Sequence, residues 1–364
     1  MGKIIKKTAI VLAIVLGALV LLCGGYALYV VIQYHRIEDK LPLTAENNEK
    51  AAVPAGEELS ALSYNIGFGA YEPSFSFFMD SGTMKSGEKV RGRYAKAKDR
   101  ATAEKNTAGA AALAAEQNAD FYLFQEVDTS GTRSRGVNQY AALTETFADY
   151  SRTFAVNFHS AFLLYPFNDP IGKNDSGVAT FSAYRIESAE RRQYPVDTGF
   201  NKFFDLDRCF SVHRLPTDNG KQLVLVNSHM SAYDEGGLIR QKQLALLNEV
   251  LAAEYAAGNY VVVGGDFNHA LAGSIDAFPT EQEIPEWVFE LVDGDLAEGF
   301  SFAAATNAPT CRSTDMPYRK GVNYTVVLDG FIVSDNVETV KTENIDNDFA
   351  FSDHQPAKLV FRLK

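Results

Sequence analysis

The chain opens with a run of apolar positions that no charge interrupts. Lys3, Lys6 and Lys7 precede it, and from Thr8 to Ile32 no residue is charged. That exceeds the roughly 20 residues a helix needs to cross a bilayer and the length of a signal-peptide apolar region, so it predicts a transmembrane helix over 8–32. Cleavage as a secretory signal is the competing reading. No small-x-small site closes the run, however, and Leu21 and Leu22 before Cys23 spoil a lipoprotein site. The leading lysines place residues 1–7 in the cytoplasm and the remainder outside, as a single-pass protein of the cell membrane with an extracytoplasmic domain. Residues 33–57 contain prolines, asparagines, alanines and glutamates and read as a linker that holds this domain off the membrane.

From residue 58 the pattern alternates. Glu58 to Ile66 reads as a strand, Ala97 to Asn118 as an alanine-rich helix, Asp120 to Val127 as a buried strand, Asn138 to Tyr150 as a helix and Arg152 to Phe158 as extended chain. A β-rich stretch starts at Ser176 and runs to Met230. Leu238 to Ala257 has the spacing of an amphipathic helix, Tyr260 to Ala270 opens as an apolar strand, and Ile284 to Val292 reads as a short helix. Strands follow at Tyr324 to Ser334, Val337 to Ile345 and Ala357 to Leu363. Strands alternating with helices around a β-rich middle predict two packed mixed sheets flanked by helices, as one α/β domain over 58–364. The insertion 67–92 carries Tyr71, Phe75, Phe77, Phe78 and Met79 among glycines and serines. These side chains would form a lid, dip into lipid headgroups, or pack on the domain's own flank, and the last is preferred.

Composition narrows the picture modestly. A 364-residue chain with 46% hydrophobic residues is globular rather than disordered, and a net charge of -12 argues against a broad basic face for nucleic acid or anionic lipid. It does not exclude a nuclease, because a metal site holds phosphate without side-chain charge. Cys23, Cys209 and Cys311 form neither a disulfide framework nor a zinc spacing. Cys209 and Cys311 are read as two unpaired buried thiols.

The candidate chemistry lies at the ends of these strands. In YVVVGGDFNHA, Asp266 and Asn268 stand two apart, so an extended backbone sends both the same way. Alone, Gly-Gly-Asp and Asn are ordinary turn residues. Yet Asn65, Glu126, His229, Asp329, Asp353 and His354 also stand at or near strand ends. Such recurrence is what an active site on a rigid scaffold requires. Each has a bland alternative as turn residue, cap or core histidine. Asp329 in mid-strand demands a partner in any case, since an unpaired buried carboxylate is costly.

The order and wording of these motifs resemble the endonuclease/exonuclease/phosphatase superfamily, which includes DNase I-like nucleases, neutral sphingomyelinases and inositol polyphosphate 5-phosphatases. The matching pieces are YNIG at Tyr64 to Gly67, QE at Gln125 and Glu126, SH at Ser228 and His229, GDFN at Gly265 to Asn268, LDG at Leu328 to Gly330 and SDH at Ser352 to His354. The resemblance implies a four-layered α/β sandwich of the DNase I-like kind and metal-dependent cleavage of a phosphoester in a nucleic acid or a phospholipid headgroup. In that chemistry Glu126 is a Mg²⁺ ligand with Asn65 and Asp353, Mn²⁺ being the alternative ion. Asp266 orients the attacking water and Asn268 holds a phosphoryl oxygen. His354 acts on the phosphate with Asp329 fixing its tautomer, and His229 is assigned to the leaving group or phosphate. Gly177, in SGVATFS, matches a family strand that flanks the site, with a simple turn glycine as the alternative, and Asn157, Arg208 and the segment 310–318 are further candidates for contact with the substrate. The alternative from another class is an inactive surface domain that binds a phosphorylated ligand or a protein partner.

Overall fold

The computed structural model describes residues 2–197, 199–203, 205–232 and 238–364. The uncharged run lies within one helix, α1 (Gly2–Gln33), mostly exposed along its length, with Val30 buried. It is long and apolar enough to cross a membrane by length and composition. Next come β1 (Leu41–Leu43), β2 (Glu58–Asn65), a small ribbon of β3 (Ser81–Thr83) and β4 (Lys89–Arg91), and helix α2 (Arg100–Ala115). The middle of the chain forms β5 (Phe121–Asp128), α3 (Gln139–Thr146), β6 (Ser151–His159), β7 (Asp175–Ser182), β8 (Ser188–Gln193), β9 (Cys209–Pro216) and β10 (Gln222–His229). The last part forms α4 (Leu238–Ala256), β11 (Tyr260–Asp266), β12 (Phe300–Ala303), the short pair β13 (Cys311–Arg312) and β14 (Thr325–Val326), then β15 (Asp329–Ser334), β16 (Val337–Asn344) and β17 (Ala357–Leu363).

Two mixed sheets carry the domain, ordered β1-β8-β9-β10-β11-β15-β12 and β16-β17-β2-β5-β7-β6. Side chains alternate across each strand, which explains why the central strands are apolar on both faces. On β11, Tyr260 and Val262 join Phe121 and Leu123 of β5 in the core between the sheets. Val261 and Val263 point the other way, onto Leu244, Leu247 and Leu251 of α4. On β5, Tyr122 and Phe124 turn outward onto Ala110, Ala111 and Ala114 of α2 and Leu143 of α3. The result is the expected four-layered α/β sandwich. Asp99 and Asn138 start α2 and α3 by accepting from the N–H of Thr102 and Ala141, both at 2.8 Å.

Gly264 and Gly265 mark where backbone must come close. A Cβ on Gly264 would stand 2.5 Å from Leu123 Cδ1 on the facing sheet, and one on Gly265 2.1 Å from Ser228 O on the neighbouring strand. Only glycine lets the sheets and strands meet at the end of β11.

Some expectations are revised, while the flank packing of the insertion and the two unpaired buried thiols are as expected. Residues 33–57 do not stand free as a spacer: Leu41–Leu43 is the edge strand beside β8, and Val53 is fully buried in the inter-sheet core. The insertion 67–92 has its own ribbon, and Tyr71, Phe75, Phe77 and Phe78 pack together on the domain flank. Ile284–Val292 is not helical. It is drawn out alongside Ala270, which donates to Phe289 O at 2.7 Å and accepts from Leu291 N at 2.9 Å. The strand expected from Tyr324 to Ser334 breaks before Asp329, where Leu328 N and Asp329 N both donate to Thr310 Oγ1. Cys209 and Cys311 are separate buried thiols.

Candidate active site

Strand register sets out the site in rows. β10 and β11 run parallel with His229 beside Asp266, and β11 runs antiparallel to β15 with Asp266 beside Asp329. On the facing sheet β2 and β5 run parallel with Asn65 beside Gln125. Gln125 and Asn227 bridge the sheets at 2.8 Å behind this row.

Asp266 sits at the centre, 1% exposed. Its Oδ2 accepts from Asn65 Nδ2 at 3.0 Å and its Oδ1 from Asn268 N at 2.9 Å. His229 Nε2 and His354 Nε2 approach Oδ2 to 3.6 and 3.7 Å. Asn65 is itself fixed, since its Oδ1 accepts from Gly67 N and its carbonyl from Ser352 Oγ. That contact ties the first motif to the last. Asn268 has φ 51° and Glu126 φ 54°, left-handed conformations that side chains adopt at a cost. Glu126 lies where the β5–β7 register slips between Phe124 and Val127. Such bulges re-aim side chains, and this one turns the carboxylate into the cleft.

His354 Nδ1 donates to Asp329 Oδ2 at 2.7 Å. Burial by itself would lower the imidazole, but the carboxylates of Asp329 and Asp266, with Cys311, hold it well above its ordinary value. Asp329, the first residue of β15 rather than a mid-strand one, thus has the partner its burial demanded. His229 behaves oppositely: burial, then Arg208 and His354, push it well below its ordinary value, so the ring is neutral. Arg208 donates to Nε2 at 2.5 Å, which leaves Nδ1 to carry the proton. Nδ1 faces the Asn157 amide at 3.5 Å, and Asn157 Oδ1 is otherwise unpartnered among the described residues.

Glu126 is pushed up to about 7, first by burial and then by the negative charge of Asp353. Two carboxylates facing one cleft with so little solvation form a donor set suited to a hard cation. Asp266, Asp329 and His354 also place ligand atoms within 4.8 Å of one another. In that trio His354 is already bound to Asp329, which makes it a hydrogen-bonded pair rather than an open coordination site.

Glu126, His229, Asp266, Asn268, Asp353 and His354 line a cleft of about 460 Å³, with Asn65 and Asp329 behind them. One wall is apolar, from Tyr71, Phe77, Phe158, Ile171 and Leu206, and Trp287 lines the cleft from another cluster; Arg133, Arg208 and Arg312 supply positive charge. Arg312 is 2% exposed and anchored on the carbonyls of Tyr71 and Glu72, and Arg133 lies over the rings of Phe68 and Phe77. Arg208 and the segment 310–318 do reach the cleft, as their candidacy required. Arg133 and Trp287 carried no signal in the chain, because each is brought in from a loop. Gly177 lies in β7 against Ala155 O, a tight strand approach rather than a turn.

The sequence description of the Endonuclease/Exonuclease/phosphatase family matches residues 62–354. No curated protein matches the chain. Among solved structures, an endonuclease/exonuclease/phosphatase from Beutenbergia cavernae DSM 12333 is 15% identical with a TM-score of 0.54, covering 84% of this chain and 72% of that one. D. rerio TDP2 complexed with a single-strand DNA product is 14% identical with a TM-score of 0.51, over 84% of this chain and 99% of that one. ANGEL2, a 2',3'-cyclic phosphatase in complex with adenosine-2',3'-vanadate, is 15% identical with a TM-score of 0.52, over 90% and 99%. At these identities the likeness is one of fold.

Proposed function

Because the chain belongs to the endonuclease/exonuclease/phosphatase family, a family of phosphoester hydrolases, we propose that it is a membrane-anchored, Mg²⁺-dependent phosphodiesterase whose domain faces outward. The observation that carries this reading is the convergence of Asn65, Glu126, His229, Asp266, Asp329 and His354 from both sheets around one buried carboxylate.

Glu126 and Asp353, supported by Asn65, would hold Mg²⁺, with Mn²⁺ as an alternative. The bound ion would neutralise charge on the phosphoryl group. Asp266, oriented by Asn65 Nδ2 and Asn268 N, would align and activate the attacking water. The amide of Asn268 gives one N–H to Met230 O at 2.9 Å and would give the other to a phosphoryl oxygen. His354, kept protonated by Asp329, would donate to the phosphate as charge builds. Neutral His229 would stand at the phosphate or leaving group with Arg208, whose guanidinium it orients. Residues 1–7 would lie in the cytoplasm and 8–32 would span the membrane, with the catalytic domain over 58–364.

The test is release of p-nitrophenol from bis-p-nitrophenyl phosphate by the full chain, with and without EDTA. Activity should need the metal and fall by at least about 10²-fold in Asp266→Ala and in His354→Ala. Metal-independent activity, or variants as active as the parent, would defeat the proposal.

A further inference from the structure

Four large exposed apolar side chains lie close together on a second loop, whereas the insertion that sequence pattern singled out exposes Met79 and buries its aromatic rings. Between Ser160 and Gly172 the single charge is Asp169, and it is spent on Lys96 at 2.8 Å. Leu163 and Ile171 are buried with Phe77 and Phe158 and fix the base of the loop. Their neighbours along the loop face out, with Phe162, Leu164 and Tyr165 38–51% exposed and Phe167 83%.

This loop is strapped to the apolar helix. Tyr26 Oη donates to Phe162 O at 3.2 Å and accepts from Leu164 N at 3.0 Å, while Tyr29 Oη accepts from Phe162 N at 3.1 Å. Tyr26 lies seven residues before the end of α1, which at 1.5 Å per residue is about 10 Å back along the helix. The loop therefore overlaps in depth with the apolar helix itself, at a pair of tyrosines of the sort that mark a membrane–water boundary. The domain has little freedom to swing away. Asp207 pairs with Arg36 at 2.6 Å and accepts from Ile37 N, and Arg191 donates to the carbonyls of Ile37 and Glu38. Ile171, at the base of the loop, also lines the catalytic cleft.

We propose that segment 160–172 is a membrane-docking element. Phe162, Leu164, Tyr165 and Phe167 sink into the leaflet on the domain's side of α1 and hold the cleft at the level of the headgroups, so that the phosphoester it takes is a lipid headgroup of the same bilayer. This rests on the reading of α1 as a membrane span and of the cleft as a phosphoester site.

The experiment uses the full chain in phosphatidylcholine/phosphatidylglycerol vesicles with Phe167→Trp or, as a reporter for the span, Leu16→Trp; the unsubstituted chain gives the Trp287 background. Phe167 is so exposed that the substitution disturbs no packing. Blue-shifted emission is expected from both positions, lost at 167 to lipids brominated near the glycerol end and at 16 to lipids brominated further down the acyl chains. Quenching at 16 but not at 167 overturns docking and leaves the anchor standing; quenching at neither overturns the anchor, and docking with it. In a second arm, Phe162→Ser/Phe167→Ser should lower hydrolysis of headgroup phosphoesters in vesicles by on the order of tenfold or more, with bis-p-nitrophenyl phosphate hydrolysis unchanged. An equal loss on both substrates, or preference of the parent for an oligonucleotide, overturns the lipid assignment.

Discussion

Replacing His213 should uncouple the stability of this domain from mild acid. His213 lies on β9 and is fully buried between the sheets. Its Nδ1–H donates to Leu225 O at 3.0 Å, and its Nε2 accepts from Thr153 Oγ1 on the facing sheet at 2.8 Å. Both bonds require the neutral ring, and burial lowers its pKa from 6.5 to about 4. A group depressed in the folded state stabilises fully above its unfolded pKa, and that stability drains away as pH falls from 6.5 towards 4. At about 1.4 kcal/mol per unit, the full linkage amounts to about 3 kcal/mol, of which between about 2 and 3 kcal/mol is gone by about pH 4.5. The double variant His213→Leu/Thr153→Val removes the titrating group and its partner hydroxyl together, leaving only Leu225 O without its bond, at a cost of about 1–3 kcal/mol near neutrality. Urea unfolding of the full chain in detergent, followed by Trp287 fluorescence at about pH 7.5 and pH 4.5, reads both effects. The parent should lose about 2–3 kcal/mol more than the variant between the two pH values. Equal losses would refute the picture of a neutral buried imidazole joining the sheets.

Asp329→Asn should lower turnover of bis-p-nitrophenyl phosphate by about 10²–10⁴-fold and move the alkaline limb of its pH profile to lower pH, because the carboxylate no longer holds the proton on His354; an unmoved limb would exclude that coupling. Glu126→Gln should abolish Mg²⁺ binding by isothermal titration while circular dichroism stays native, and retained affinity would place the ion elsewhere. Gly265→Ala sets a methyl group against Ser228 O and should destabilise by about 1–3 kcal/mol or more, read as a fall in Tm; an unchanged Tm would mean that β10 and β11 part easily.

Local pattern carried far in this chain. The apolar runs of β5 and β11 announced buried strands, and the alanine-rich and amphipathic stretches announced α2 and α4, because these signals act within a few residues. Asn65, Asp266 and His354 stood out as polar residues at strand ends, and the fold brings all three together. The glycine pair in YVVVGGDFNHA stood out at the strand end, though what closes on it, Leu123 and Ser228, did not.

What the chain could not announce depends on partners far away in sequence. Asn65 meets Asp266 across 201 positions and Tyr26 meets Leu164 across 138. No periodicity records such pairings. The aromatic insertion at 67–92 and the apolar loop at 160–172 look alike as strings of rings among turn residues. Tertiary packing alone buried the first in its own cluster and left the second exposed beside α1. The same holds for residues 33–57, whose loop-like composition conceals an edge strand and a buried Val53. Their order comes from the sheet and core already waiting for them. Sequence determined where the candidate polar residues stand and which faces are apolar, since both are properties of side chains and short-range spacing. Which apolar face meets core and which meets solvent or lipid was decided only by the folded chain, since it depends on what covers it.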